Sequence, residues 1–125
     1  MLHHISLGTA DLERARAFYD PVMHELGMRR TLDVSDAIGY GAGITVFSLN
    51  LPANGGAASV GNGVHVAFEV EKRAAVDAFF KAATAHGGSA DGAPGLRPEY
   101  DANYYAAFVR DPEGNKIEAV TFTAA

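Results

Sequence analysis

The feature that most constrains this chain is a repeat. Gly63-Val64-His65-Val66-Ala67-Phe68-Glu69-Val70 restates an earlier stretch at a shift of 61 positions, so that His65 falls on His4, Val66 on Ile5, Phe68 on Leu7 and Val70 on Thr9. The same shift carries Ala78 to Ala17, Phe79 to Phe18, Phe80 to Tyr19 and Gly88 to Gly27. One offset therefore aligns a strand-like run, a helix-like run and the glycine that follows. Two copies at so long a period do not make a solenoid. They make a pseudo-symmetric domain of two similar halves, each with a histidine at the same place.

A length of 125 residues fits one domain with a core of its own. Apolar residues at 48% and charged residues at 20% are ordinary for a soluble globular protein. Without cysteine there is no disulfide framework, thiolate metal site or cysteine nucleophile, a composition compatible with the cytoplasm. A net charge of -5 with no basic stripe argues against nucleic acid as a partner. No apolar run approaches the roughly 20 residues of a membrane helix, and no secretory signal is visible, so no membrane association is expected.

Leu2–Leu7 reads as a strand, with Ile5 and Leu7 on one face and His4 and Ser6 on the other. Thr9-Ala10-Asp11 supplies capping chemistry for a helix from about Leu12 to Leu26, with Pro21 predicting a kink or a restart and Gly27 ending it. Three strands follow, at about 28–34, 37–41 and 44–50, and a Gly/Pro/Asn-rich linker covers about 51–62. The second half repeats the order: a strand at 64–70, a helix at about 73–85, then strands at 104–110 and 116–122 around the turn Asp111-Pro112-Glu113-Gly114-Asn115. Residues 91–98 carry two glycines and two prolines and read as a structured loop. The expected fold is α+β, one domain of two βαβββ modules (about 1–50 and 63–125) forming a cupped mixed sheet.

In both leading strands the histidine lies opposite the residues that would face the helix. Glu118 takes the corresponding face of the last strand, because Ile117 and Ala119 take the apolar one. His4, His65 and Glu118 thus form a candidate two-histidine, one-carboxylate set for a divalent metal such as zinc, nickel, manganese or iron, with coordination positions left open for substrate. His3 is assigned by parity to the helix side, and His24 and His86 to exposed helix positions. Tyr104 and Tyr105 straddle the closing hairpin, and one must face the cup, where a phenol could orient substrate or act as an acid. There is no phosphate-binding glycine loop and no serine nucleophile elbow.

Leu2-His3-His4-Ile5-Ser6-Leu7 followed by Asp11-Leu12-Glu13-Arg14-Ala15-Arg16-Ala17-Phe18-Tyr19 resembles the opening module of the vicinal oxygen chelate superfamily. Gly63–Phe68 and Asp111–Glu118 resemble its second module. That superfamily includes glyoxalase I, extradiol dioxygenases, fosfomycin-resistance enzymes and bleomycin-resistance proteins. The resemblance implies metal ligands at His4, His65 and Glu118, a small bidentate oxygen substrate, Lewis-acid catalysis and a homodimer. It also implies the alternative of a binding-only, drug-sequestering protein whose apolar cup would involve Phe47, Phe108 and Tyr104 or Tyr105. Glyoxalase I usually adds a glutamate from the first module. Matching Gly43 to Gly114 places that position at Phe47, which has no ligating atom, so the three-ligand set looks more like that of fosfomycin-modifying or extradiol enzymes.

Overall fold

A computed structural model describes all 125 residues, Met1–Ala125. The first module comprises β1 (Ile5–Gly8), α1 (Leu12–Glu25), β2 (Arg29–Val34), β3 (Ala37–Gly41) and β4 (Phe47–Asn50). The second comprises β5 (His65–Glu69), α2 (Arg73–Ala85), β6 (Ser89–Leu96), β7 (Tyr105–Arg110) and β8 (Lys116–Thr121). Each module forms a four-stranded mixed sheet, ordered β1-β4-β3-β2 and β5-β8-β7-β6. In both, the first and last strands are parallel neighbours and the remaining pairs are antiparallel. The expected pair of βαβββ modules is therefore present, and residues 51–62 link them without regular structure.

The helices lie where the apolar periodicity puts them. Asp11 caps α1 by accepting the Arg14 amide at 3.1 Å, and Ala15, Phe18, Tyr19, Val22 and Met23 form its buried stripe. The helix passes through Pro21 as one continuous element rather than restarting there. In α2, Val76, Phe79 and Ala83 are buried. The two helices pack against one another as well as on their own sheets, so one apolar cluster contains residues of both modules. No helix is long and apolar enough to cross a membrane.

Two local readings are corrected. Of the loop expected at 91–98, residues 91–96 are instead strand, because β6 is an edge strand pairing only with β7. An edge tolerates proline, and register shifts at Ala90/Gly92 and Gly92/Gly95 absorb the irregular residues. Gly92 is required there, since a Cβ would meet Phe108 Cδ2 at 2.9 Å. The glycine matching Gly27 is Gly87 and not Gly88, for both follow a helix C-cap with positive φ, 79° and 102°. Gly88 instead packs against Phe18, where a Cβ would lie 2.6 Å from Cε1.

A buried polar cluster ties the modules together. Asp111 Oδ1 accepts the amides of Glu113, Gly114 and Asn115 at 2.9, 2.9 and 2.8 Å, closing the β7–β8 turn. Its Oδ2 accepts the Tyr19 hydroxyl from α1 at 2.6 Å and Asn115 Nδ2 at 3.0 Å. Asn115 Nδ2 also donates to the Gly8 carbonyl at 3.0 Å, and Glu113 accepts the Ala10 amide and Arg14 at 2.8 and 2.7 Å. Removing one partner from such a cluster leaves buried groups unsatisfied. Asp111→Ala is expected to lower unfolding stability by about 3 kcal/mol and Tyr19→Phe by about 1–2 kcal/mol, read by urea denaturation. Equal small losses in both would show that the turn does not depend on the carboxylate.

Candidate functional site

The outer face of the second sheet is built by register. β5 pairs with β8 as His65↔Lys116 and Ala67↔Glu118, while β7 pairs with β8 as Arg110↔Lys116 and Phe108↔Glu118. Two adjacent rows cross the three strands, one of His65, Lys116 and Arg110 and one of Ala67, Glu118 and Phe108. Alternation sends Val66, Phe68, Ile117 and Ala119 the other way, toward the helices.

Glu118 is the centre of this face. Its side chain is only 1% exposed, yet it forms the floor of a cavity of about 420 Å³ lined also by His65, Tyr100, Tyr104, Phe108 and Lys116. His65 Nε2 lies 3.1 Å from Oε1. The Tyr104 hydroxyl donates to Oε2. A buried carboxylate must be hydrogen-bonded or paired, and here each oxygen has one partner. Burial first, and the Glu118 contact second, push the Tyr104 phenol well above its ordinary range, so at neutral pH it holds its proton and donates. Tyr100 and Phe122 flank Tyr104 with ring centroids 5.1 and 5.2 Å away, making an aromatic wall.

The sequence-derived residues are not all gathered here. His65, Glu118 and Tyr104 meet. Tyr105 points to the opposite face and donates to Asp77 of α2 at 2.6 Å. His4 precedes β1, is exposed, and borders a separate depression of about 230 Å³ with Leu2, Ile5, Val46 and Phe68. Its Nδ1 lies 2.9 Å from Nδ1 of His3, which is exposed rather than under the helix, because the strand starts only at Ile5. No group of three His, Asp or Glu side chains able to hold a metal is assembled within the single chain. Phe47 belongs to the core, 1% exposed against Tyr19 and Phe68, and lines no cup around Glu118.

The position matching Glu118 in the first module also changes. Ser6 pairs with Ser48 as Ala67 pairs with Glu118, so the counterpart is Ser48, one residue beyond Phe47. The 61-residue shift holds from Ile5 to Val66, whereas the paired Phe47 and Ile117 are 70 apart (117 minus 47). Matching the turn glycines slipped the phase by one. Ser48 Oγ is bonded to Ser6 Oγ and to Asn50 Oδ1, each at 2.8 Å. Sequence reasoning also passed over Lys116 and Tyr100 as site residues. Lys116 was findable, since it lies two positions from Glu118 on the same strand face. Tyr100 sits in a loop, where alternation gives no direction.

The geometry fixes one observable. In metal-free protein His65 should carry a proton on Nε2, because Glu118 accepts there, giving a protonated-Nε2 signature in the ring nitrogen shifts. That preference should vanish in Glu118→Ala. An unprotonated Nε2 at neutral pH in the unaltered protein would contradict the arrangement.

Comparison with known proteins places this chain in a wider group. The family model described as the Glyoxalase/Bleomycin resistance protein/Dioxygenase superfamily matches residues 1–119. Among solved structures, the chain is 33% identical to a glyoxalase/bleomycin resistance protein from Albidiferax ferrireducens T118, with TM-score 0.87 over 95% of this chain and 96% of that one. A glyoxalase/bleomycin resistance protein/dioxygenase family enzyme from Burkholderia phytofirmans PsJN is 23% identical, with TM-score 0.75 over 98% of each chain. Lactoylglutathione lyase from Agrobacterium tumefaciens is 22% identical, with TM-score 0.69 over 97% of this chain and 92% of that one. These last two likenesses are of fold. A search of curated proteins gave no match.

Proposed function

The chain belongs to the glyoxalase/bleomycin resistance protein/dioxygenase superfamily, and from that premise we propose that it is a small metal-dependent enzyme of glyoxalase or dioxygenase type acting on a small bidentate oxygen substrate. The observation that carries this reading is the buried Glu118 carboxylate facing His65 Nε2 at 3.1 Å on a cavity floor. Two ligands about 2.1 Å from one ion, at an angle between octahedral and tetrahedral, lie roughly 3.0–3.4 Å apart. The pair therefore fits a shared divalent metal, and imidazole with carboxylate suits zinc, nickel, manganese or iron.

His65 and Glu118 would hold the ion, and His4 of a second copy would be its third protein ligand. The chain supports a two-copy site in two ways. It gathers no third ligand by itself, and β1 and β5, each in or beside a candidate ligand's strand, are both unpaired sheet edges. We therefore propose a homodimer in which the first module of one copy faces the second module of the other. A bound ion of this kind supplies Lewis-acid polarisation of a substrate oxygen. The chain's own side chains do the rest. Tyr104 keeps its proton and pins Oε2 of Glu118, so Oε1 is the oxygen that would be offered to an ion. Tyr100 and Phe108 give apolar walls that orient the substrate and exclude water. Tyr105, turned toward α2, has no part in the site.

A binding-only reading draws on the aromatic cluster of Tyr100, Tyr104 and Phe122, which could hold an apolar ligand without turnover. Substitution separates the two. His65→Ala should abolish metal uptake and turnover in the enzyme, but leave ligand capture largely intact in a sequestering protein.

The test is metal content by plasma mass spectrometry, after reconstitution with zinc, nickel, manganese and ferrous iron. About one ion per site is expected, with none in His4→Ala or in Glu118→Ala. Mixing those two variants with subunit exchange should restore about a quarter of the sites, because one of the two sites in each mixed dimer is intact. Retention of metal by His4→Ala would remove His4 from the site. Failure of every metal to bind at micromolar concentration would sink the enzyme reading.

A further inference from the structure

The row of His65, Lys116 and Arg110 is a concentration of basic groups in a chain of net charge -5. A second cavity, of about 390 Å³, is lined by His65, Lys116, Arg110 and the linker segment Val60–Val64. It adjoins the Glu118 cavity, since His65 and Lys116 line both. No carboxylate lines it. Asp91 is the only acidic group on the two cations, 3.1 Å from Arg110 Nε and 3.7 Å from Lys116 Nζ, so the three together keep a net positive charge. Arg110 further donates to the Gly114 carbonyl at 3.2 Å, which holds its guanidinium in place.

The linker adds donors. Gly61 and Gly63 both have positive φ, 69° and 93°, on either side of Asn62. The Asn62 and Gly63 amides donate to no carbonyl within the chain. Backbone of this kind beside fixed cations suits an anion. Lys116 Nζ also lies 5.2 Å from the Phe108 ring and 3.7 Å from Asp91 Oδ2.

We propose that this second cavity is an oxyanion subsite, and that the substrate of the His65–Glu118 centre carries a carboxylate or phosphate group at one end. The inference rests on the enzyme reading for the identity of the other end, but the subsite itself does not need the metal. Lys116 and Glu118 are two residues apart on one strand, so their Cα atoms stand roughly 7 Å apart and the two cavities adjoin. The net positive charge of that adjoining cavity suits a short oxygenated acid or phosphate ester rather than a neutral dicarbonyl. Arg110 and Lys116 would be binding residues for this end of the substrate, and Asp91 would position both.

The experiment is a titration of isotopically labelled, chelator-treated protein followed by amide and imidazole resonances. The probes are inorganic phosphate and malonate, with sodium chloride at matched ionic strength as the control. Saturable shifts at Gly61, Asn62, Gly63 and His65 are expected with at least one probe. Affinity should fall about tenfold in Lys116→Gln and in Arg110→Gln, and stay unchanged in Arg29→Gln, an exposed arginine of the other sheet. A preference for phosphate or for malonate identifies the headgroup, and similar binding of both supports a general oxyanion subsite. Shifts that fail to saturate, that chloride reproduces, or that persist undiminished in both glutamine variants would overturn it. The same samples separate the two proposals: metal uptake without anion binding defeats only the subsite, and anion binding without metal uptake defeats only the metal centre.

Discussion

The Asp111 carboxylate is the interaction on which the rest of the structure depends. Five donors converge on it, three of them backbone amides of the turn it begins. A turn closed so tightly fixes where β8 starts, and a strand started one residue later would send every side chain to the opposite face. Glu118 would then point into the helices and Ile117 into the cavity. The Tyr19 hydroxyl joins this same group from the other module, and burial holds that phenol protonated, so it donates to the Asp111 carboxylate. Turn geometry, module docking and the direction of the candidate ligand are thus one constraint.

The two modules share a fold but not a chemistry. Ser6 and Ser48 stand where Ala67 and Glu118 stand, and their hydroxyls are spent on each other and on Asn50. Phe108, which packs over Gly92 beside Glu118, has Gly39 as its counterpart opposite Ser48. A Cβ at Gly39 would meet Thr45 Cγ2 at 2.4 Å, so in the first module the neighbouring chain fills the space that the second module keeps open. Duplication supplied two equivalent faces. Only the second has a buried carboxylate and an aromatic wall.

Much of this was legible in the residues, and the reasons for the exceptions are physical. Apolar spacing located both helices to within a residue, because Phe18, Val22, Val76 and Phe79 recur at helical intervals. Alternation put His65 and Glu118 on one face and showed that only one of Tyr104 and Tyr105 could join them. It could not read β6, whose strand is maintained by pairing with β7 against its own glycine and proline content. Nor could it see that the turn before β4 differs by one residue from the turn before β8, which moved the equivalent of Glu118 from Phe47 to Ser48. His4 is a different case: sequence symmetry gives the histidine a matching position, but symmetry says nothing of which chain would supply it to a site.

The charges around Glu118 follow from its burial. A carboxylate that is 1% exposed loses its hydration, and two neutral hydrogen bonds offset only part of that cost. Cationic side chains offset more, and the row next to it contains two, Lys116 and Arg110, along with His65. Asp91 pairs with both of these cations, at 3.1 Å from Arg110 Nε and 3.7 Å from Lys116 Nζ. The arrangement leaves the carboxylate short of positive charge at Oε1, where His65 is its sole partner. A site with a buried anion, one imidazole and room above them is stabilised by a further cation at that point. The proposed metal would meet an electrostatic demand that the fold has already created.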